Sequence, residues 1–213
     1  MIFAPLPRSF YDPSARSVAR ALLGHWLIRN TSEGPIGGTI VETEAYLVGD
    51  AACHAAPGIT ERNKIMFGRP GFAYVYFIYG CHYCVNAVCR PAGIAEAVLI
   101  RGIEAGVGAA TMLRNRQVSS ERQLTNGPGK LCQAMAIDRK LDGADLCDAH
   151  SQLFIAENPE HRLIRRRLGP VITTARVGIT RAAELPLRFY LAASPFVSRH
   201  KIEFRLPRRV QCS

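Results

Sequence analysis

The sequence has little lysine, few acidic residues and no long apolar run. Four of its 27 basic side chains are lysines and the rest are arginines, while 17 acidic residues leave a formal net charge of +10 over 213 residues. Arginine suits phosphate groups and base edges because its planar guanidinium forms paired hydrogen bonds. The charge excess indicates an acidic partner, of which nucleic acid is the commonest. A solvated basic surface, or the bias of a GC-rich genome, is the alternative explanation.

Several classes of protein are excluded by what the chain lacks. No apolar stretch approaches the roughly 20 residues that span a bilayer, and residues 1–17 lack the apolar region and cleavage site of a signal peptide. Seven cysteines are an odd number, at a density too low for a secreted disulfide scaffold. We therefore expect reduced thiols and a cytoplasmic location, associated with the nucleoid in a bacterium, with a nuclear location still open.

Composition and patterning predict one α+β domain over residues 1–213. An apolar content of 48% with 21% charged residues is enough to bury one core. The economical arrangement is a curved, mainly antiparallel sheet with surrounding helices, a protruding aromatic hairpin and a long loop over 47–70. Strands are expected at 26–30, 39–46, 72–79, 82–89, 95–103, 153–157, 171–179 and 187–192, and helices at 15–23, 108–116 and within 124–137.

The run VETEAY at 41–46 places two carboxylates and a tyrosine at alternate positions. On a strand these side chains share one face, and Val41, Thr43 and Ala45 share the other. One interpretation is a solvated outer face, because neighbouring carboxylates repel and burial is costly unless they are paired. The other is a carboxylate base for glycosidic hydrolysis, with the second glutamate held by an arginine.

The predicted hairpin carries four tyrosines within ten residues, with its tip near Tyr79, Gly80 and Cys81. Both of its faces are too apolar for an ordinary half-solvated hairpin. Aromatic core packing on both sides is one explanation. The alternative is that Tyr76 stacks on a base while Tyr79 wedges into a duplex, as aromatic platforms and inserted side chains do in nucleic-acid-binding proteins.

Two motifs suggest metal or nucleotide binding but fit poorly. Cys81 and Cys84 form a CxxC, yet their strand positions differ in parity and no second pair follows, so a zinc or redox site is disfavoured. The run 127–130, GPGK, lacks the first glycine and the final Ser or Thr of a phosphate loop. The run is expected to lead into a helix, with Asn126 as a candidate cap. The start of that helix is either a plain turn or a site whose free N-H groups hold a DNA phosphate.

Eight segments, taken in order, resemble the alkyladenine (3-methyladenine) DNA glycosylase family. The resemblance extends from about residue 19 to residue 198. The chain departs from the family pattern at Cys53, Ile59 and Cys81, and these differences are expected to affect the range of substrates and the contacts with DNA. The resemblance implies a fold like the barrel of formyltransferase C-terminal domains, and a monomer without metal or cofactor. The segments are VETEAY (41–46), His54, RNKIMFG (62–68), YVYFIYGCHYCVN (74–86), VLIR (98–101), LTNGPGKLCQA (124–134), ARVGI (175–179) and LRFY (187–190).

The resemblance implies base excision from double-stranded DNA that contains a damaged purine such as 3-methyladenine, hypoxanthine or ethenoadenine. The purine is flipped out and its N-glycosidic bond is cut by water. Glu44 matches the general base. Arg101 and the backbone carbonyl of Val177 match the groups that help to hold the attacking water.

The remaining matched positions concern base recognition and DNA distortion. Tyr46, His54 and Tyr76 match the walls of the base pocket. Asn86 matches a residue that disfavours the 2-amino group of guanine. Tyr79 matches the tyrosine that fills the space left by the flipped nucleotide.

Further basic residues are candidates for contact with the DNA backbone. Arg62, Lys130 and Arg139 lie in or beside the matched segments. Arg165–Arg167 and the run RLPRR at 205–209 are expected to be solvated or to contact phosphates without reading sequence. Two other functions stay open: a non-catalytic DNA-binding module that does not need Glu44, and a thiol or zinc protein that uses Cys81 and Cys84.

Overall fold

A computed structural model describes residues 3–198, so the predicted basic run at 205–209 lies outside the described residues. Four α-helices and eight β-strands alternate with short 3-10 helices at Arg8–Tyr11, Lys64–Phe67, Glu121–Gln123 and Arg139–Leu141. The helices are α1 (Ala15–Leu22), α2 (Ala109–Arg116), α3 (Pro128–Ala134) and α4 (His161–Arg167). The strands are β1 (Trp26–Thr31), β2 (Gly34–Tyr46), β3 (Ala73–Ile78), β4 (His82–Cys89), β5 (Glu96–Val107), β6 (Leu153–Ala156), β7 (Val171–Thr174) and β8 (Arg188–Leu191).

The long strand β2 organises one antiparallel sheet. The strand order is β3-β4-β5-β2-β1-β6, and β8 pairs with both β2 and β7. Register shifts between β2 and β5 after Gly37, Ile40 and Glu42 bend and twist the sheet. A side chain at Gly37 would clash with the Leu27 carbonyl, so β1 approaches β2 closely only because that position is glycine. The predicted α+β class and curved antiparallel sheet are confirmed.

Helix α1 shows how the sequence specifies local structure. The Ser14 hydroxyl caps it by accepting from the Ser17 amide. Ala15, Val18, Ala19 and Leu22 are buried at helical spacing against the sheet. The amide of Ala15 also donates to the Glu96 carboxylate at 2.7 Å, which fastens the start of α1 to the start of β5.

Four sequence predictions were wrong in detail. The strand predicted over 171–179 ends at Thr174. The strand predicted to begin at residue 39 begins at Gly34, so residues 34–38 are strand and not part of a turn. Asn126 is not the cap of α3, which follows Gly127 with Pro128 in its first turn. Helix α4 was not predicted, and it contains the arginines at 165–167. Of these, Arg165 donates to the carbonyls of Arg20, Ala21 and Leu23 at the end of α1.

A buried histidine between α1 and α4 makes stability depend on pH. The ring of His25 stacks on His161 at 4.7 Å and accepts a hydrogen bond from the Asn158 amide. Burial, with His161 and Arg165 nearby, lowers the pKa of His25 to about 4. Because an unfolded histidine titrates near 6.5, the unfolded chain binds the proton first, and stability is lost as the pH falls from about 6.5 toward 4.

Replacing His25 with glutamine should remove this contribution. Between pH 7 and pH 4.5 the free energy of unfolding should fall by about 2 kcal/mol more in the wild type than in His25→Gln, measured by urea denaturation. His150→Gln, a change at an exposed histidine, is the matched control. Parallel losses in the wild type and His25→Gln would contradict the assignment.

Candidate active site

Two glutamates and a tyrosine lie on one face of β2, where the alternation of the strand places them. Glu42 and Glu44 are both 0% exposed. Thr43, on the other face of the strand, is also buried, and its hydroxyl donates to the Ala19 carbonyl of α1. The interpretation of this face as solvated is therefore wrong. Two carboxylates buried side by side require compensating donors and cations, and the surrounding strands supply them.

Glu42 is enclosed by two arginines and a serine. Its Oε1 accepts from Arg101 Nε at 2.9 Å, from Arg188 Nε at 2.7 Å and from the Ser198 hydroxyl at 2.6 Å, and its Oε2 accepts from the Ser198 amide at 2.7 Å. Burial alone would raise the pKa of Glu42, but Arg101, Arg188 and Ser198 more than offset it and hold the pKa below its ordinary value. Glu42 is therefore an anionic support, as the sequence predicted for the second glutamate.

Glu44 accepts three hydrogen bonds from three different elements. Its Oε1 accepts from the Val177 amide at 2.8 Å, and its Oε2 accepts from the Tyr46 hydroxyl at 3.0 Å and Arg101 Nη1 at 3.2 Å. An ionised carboxylate has about four acceptor positions, so these donors fix its orientation and leave room for one more. Sequence reasoning matched the carbonyl of Val177 to this site, whereas the contact present is made by its N-H group.

The segment that carries Val177 is held by a buried ion pair. Arg176 bonds both oxygens of Asp50, donates to the Ala45 and Ala182 carbonyls, and lies 4.7 Å from the centre of the Tyr46 ring. Through Nη1 and Nη2 the guanidinium joins Asp50, Ala45 and Ala182, and these contacts fix the chain around Arg176. This pairing, followed by Gly178 at positive φ, ends the predicted strand and turns the Val177 amide toward Glu44.

The four predicted base-pocket residues line one cavity. Tyr46, His54, Tyr76 and Asn86 surround it, and the Asn86 side chain donates to the Tyr74 carbonyl at 3.0 Å. Part of the cavity wall belongs to a second apolar cluster of the core, which includes Cys53, Met66, Tyr74, Cys84 and Leu99. The structure therefore brings together side chains from β2, the long loop, β3 and β4.

His54 and Tyr76 form a single wall of this cavity. Their ring centres are 4.4 Å apart at an interplanar angle of 64°, and His54 Nδ1 is 3.0 Å from the Tyr74 hydroxyl. A base stacked between two rings needs about 7 Å between their planes, so no base fits between these two. Burial and then Arg62 lower the pKa of His54, so the imidazole is neutral at neutral pH.

The tip of the β3-β4 hairpin carries an exposed tyrosine beside a second cavity. Tyr79 is 75% exposed and has a φ of 54°, a left-handed conformation uncommon for a residue with a side chain. Its hydroxyl lies 3.4 Å from the Gly178 carbonyl. The second cavity is bounded by Tyr79, Arg101 and Val177, and it shares Tyr46 and Tyr76 with the first.

Two of the three DNA-backbone candidates are bonded to the hairpin itself. Arg62 donates to the Phe77 carbonyl and Arg139 to the Val75 carbonyl, each at 3.1 Å, along the outer edge of β3. These contacts cover an edge strand that would otherwise expose unpaired backbone groups. Lys130 is exposed and donates to Asn126 at 2.9 Å. Contact of the three with DNA stays a prediction.

Sequence reasoning missed four residues that build the site: Asp50, Arg176, Arg188 and Ser198. A signal for Arg188 was present, because burying Glu42 and Glu44 on one face requires a second cation besides Arg101. No comparable signal marked Ser198 or the Asp50–Arg176 pair, which join positions far apart in the sequence.

The two cysteines of the CxxC lie in different environments. Cys81 is exposed at the hairpin tip, whereas Cys84 is buried, and burial raises the pKa of the Cys84 thiol to about 11. Within residues 3–198 no group of three or more His, Cys, Asp or Glu side chains is placed to hold a metal ion.

No helix within residues 3–198 is long and apolar enough to cross a membrane.

Comparison with known proteins identifies the family of the chain. A family model described as methylpurine-DNA glycosylase matches residues 9–195. The chain belongs to this family. It is therefore a DNA glycosylase, a hydrolase of DNA repair, and its substrate is DNA.

The methylpurine-DNA glycosylase match is supported by full-length relatives. The chain is 45% identical over 199 residues to a protein of Koribacter versatilis, with 92% of this chain and 93% of the relative covered. It is 46% identical over 196 residues to one of Methanoculleus marisnigri, covering 91% and 98%, and 46% identical over 190 residues to one of Rhizobium meliloti, covering 89% and 94%. All three carry the name "Putative 3-methyladenine DNA glycosylase".

Proposed function

We propose that this glycosylase flips alkylated or deaminated purines out of duplex DNA and hydrolyses the N-glycosidic bond with water activated by Glu44. The candidate substrates are 3-methyladenine, hypoxanthine and ethenoadenine. The observation that carries the proposal is the placement of Glu44, whose three hydrogen-bond partners, Tyr46, Arg101 and Val177, all line the cavity beneath the Tyr79 hairpin.

The proposed step needs one carboxylate and one water. The water oxygen bonds to the sugar C1′ as the bond from C1′ to the purine nitrogen breaks, and its proton passes to Glu44. The developing positive charge on the sugar lies near the same carboxylate, which stabilises it. Arg101 and the Val177 carbonyl hold the water. A cationic 3-methyladenine leaves with the electron pair as a neutral base and needs no added proton, whereas neutral hypoxanthine or ethenoadenine takes up a proton from solvent water as it departs.

The walls of the base cavity favour a cationic purine. In the proposed complex, the Tyr46 ring lies on one side of the flipped base and the pair of His54 and Tyr76 on the other. Aromatic faces attract positive charge, and a neutral His54 adds no repulsion. Asn86 disfavours guanine by crowding its 2-amino group. Tyr46 links recognition to chemistry because its ring lines this cavity and its hydroxyl donates to Glu44.

We propose that Tyr79 inserts into the duplex and fills the space left by the flipped nucleotide. Replacing Tyr79 with alanine should lower single-turnover excision from duplex DNA by about 10-fold, since base–aromatic stacking contributes roughly 1–3 kcal/mol. Excision from a single strand should be unaffected, because no base pair has to be opened. Tyr79→Phe keeps the ring and should retain most of the activity. An equal loss of activity on both substrates would contradict this role.

The direct test is an excision assay with duplexes that each carry one lesion. After incubation with the wild-type protein, alkali should cleave the strand at hypoxanthine, ethenoadenine or 3-methyladenine. Intact strands across the whole panel would refute the proposal. The proposed enzyme acts as a monomer in the cytoplasm, and no metal or cofactor takes part in the step.

A further inference from the structure

A basic groove lies beside the active-site cavity and is not used by the proposed chemistry. It runs between the segment that joins α2 to α3 and the segment 194–198. Arg116, Arg122 and Lys130 line it together with polar groups such as Asn126 and Ser198. Among the described residues that line it there is no carboxylate. A concave surface with three cations and no anion favours an anionic ligand.

Within residues 3–198, none of the three cations of the groove forms an ion pair, and the hydrogen bonds that they donate go to neutral groups. Arg116 donates to the Gln133 side chain at 2.5 Å and to the Gln123 carbonyl at 3.3 Å, and Lys130 donates to Asn126. Arg122 is exposed and forms no ion pair within that range. By contrast, Arg114 on the same helix as Arg116 pairs with Glu33. The charge of the groove is therefore available to a ligand.

The groove is continuous with the catalytic site. Lys130 lines both the groove and the cavity that contains Arg101. Ser198, at the other side of the groove, donates to Glu42 and lies 3.2 Å from Arg101 Nη2. The groove therefore adjoins the site at which the proposed function places the sugar of the flipped nucleotide.

We propose that the groove binds backbone phosphates of the DNA strand that carries the flipped nucleotide, with Arg116 and Arg122 as direct contacts. The inference rests on the proposed function, since it takes its ligand from the substrate of the neighbouring site. It assigns the backbone contact to Arg116 and Arg122, which line the groove, whereas Arg62 and Arg139 bond carbonyls of β3 at the hairpin.

The salt dependence of DNA binding tests this assignment. The probe is a duplex with one stable abasic-site analogue, and its dissociation constant is measured from 50 to 200 mM NaCl for the wild type, Arg116→Ala, Arg122→Ala and Arg114→Ala. Each lost phosphate contact should lower the slope of log affinity against log salt by about 0.9. Between the two salt concentrations, each groove variant should therefore lose about 3-fold less affinity than the wild type.

Arg114→Ala is the matched control, because it removes the same charge from the same helix outside the groove. Its slope should equal that of the wild type. Slopes of Arg116→Ala and Arg122→Ala that match Arg114→Ala would overturn the proposal, and Arg122→Ala alone decides the test if Arg116→Ala fails to fold. Wild-type excision of hypoxanthine is scored separately, so failure of the proposed function is distinguished from failure of the groove assignment.

Discussion

Replacing Glu44 with glutamine should reduce single-turnover excision of hypoxanthine by about 10²–10⁴-fold, the range that a positioned general base contributes. Glutamine keeps the shape of the side chain but cannot take a proton from water. The Val177 amide can still donate to its oxygen, the Tyr46 hydroxyl can rotate to accept from its amide group, and Arg101 keeps Glu42 as a partner. Affinity for lesion-containing duplex should therefore change little.

A control separates the role of Glu44 from a general effect of removing negative charge. Glu33→Gln makes the same chemical change at an exposed residue paired with Arg114, and it should excise at the wild-type rate. Thermal unfolding of Glu44→Gln shows whether the fold is kept. Full excision activity in Glu44→Gln would show that another group activates the water. Loss of affinity for lesion-containing duplex would show that Glu44 is needed for DNA binding or for the structure of the site.

Replacing Glu42 with alanine should lower the free energy of unfolding by about 3–5 kcal/mol, because it leaves Arg101 and Arg188 buried without their shared partner. The Ser198 amide and hydroxyl also lose their acceptor. For a domain of this size, the melting temperature should fall by roughly 2–4 °C for each kcal/mol. Urea denaturation measures the change directly.

Glu33→Ala is the comparison for this stability prediction. Its ion pair with Arg114 is exposed, and such pairs contribute about 0–1 kcal/mol. Glu42→Gln should fall between the wild type and Glu42→Ala, since it keeps hydrogen-bond acceptors but loses the charge. A loss below about 1 kcal/mol in Glu42→Ala would show that the two arginines find other partners and that Glu42 does not hold the site together.

Much of the site followed from local patterns in the sequence. Strand alternation over 41–46 placed Glu42, Glu44 and Tyr46 on one face, and the structure confirms this. The aromatic hairpin was predicted with its tip at Tyr79, and its strands do end at Ile78 and resume at His82. These features depend on neighbouring residues, so periodicity and turn residues are enough to predict them.

The enclosure of the glutamates depends on distant residues and could not be read from local patterns. Arg188 and Ser198 reach Glu42 from more than 140 positions away. The same holds for the end of the strand predicted over 171–179, where Arg176 turns the chain to reach Asp50. Arg62 and Arg139 show a further limit, because a sequence gives the charge of an arginine but not which carbonyls its guanidinium contacts.

Release of free base in ¹⁸O-labelled water tests the central claim most directly. A duplex with one hypoxanthine is incubated with the wild type and with Glu44→Gln, and the free base and the abasic product are analysed by mass spectrometry. The wild type should release intact hypoxanthine and leave ¹⁸O at C1′, while Glu44→Gln should release almost none. No base released by the wild type, or equal release by both proteins, would contradict hydrolysis by a water that Glu44 activates.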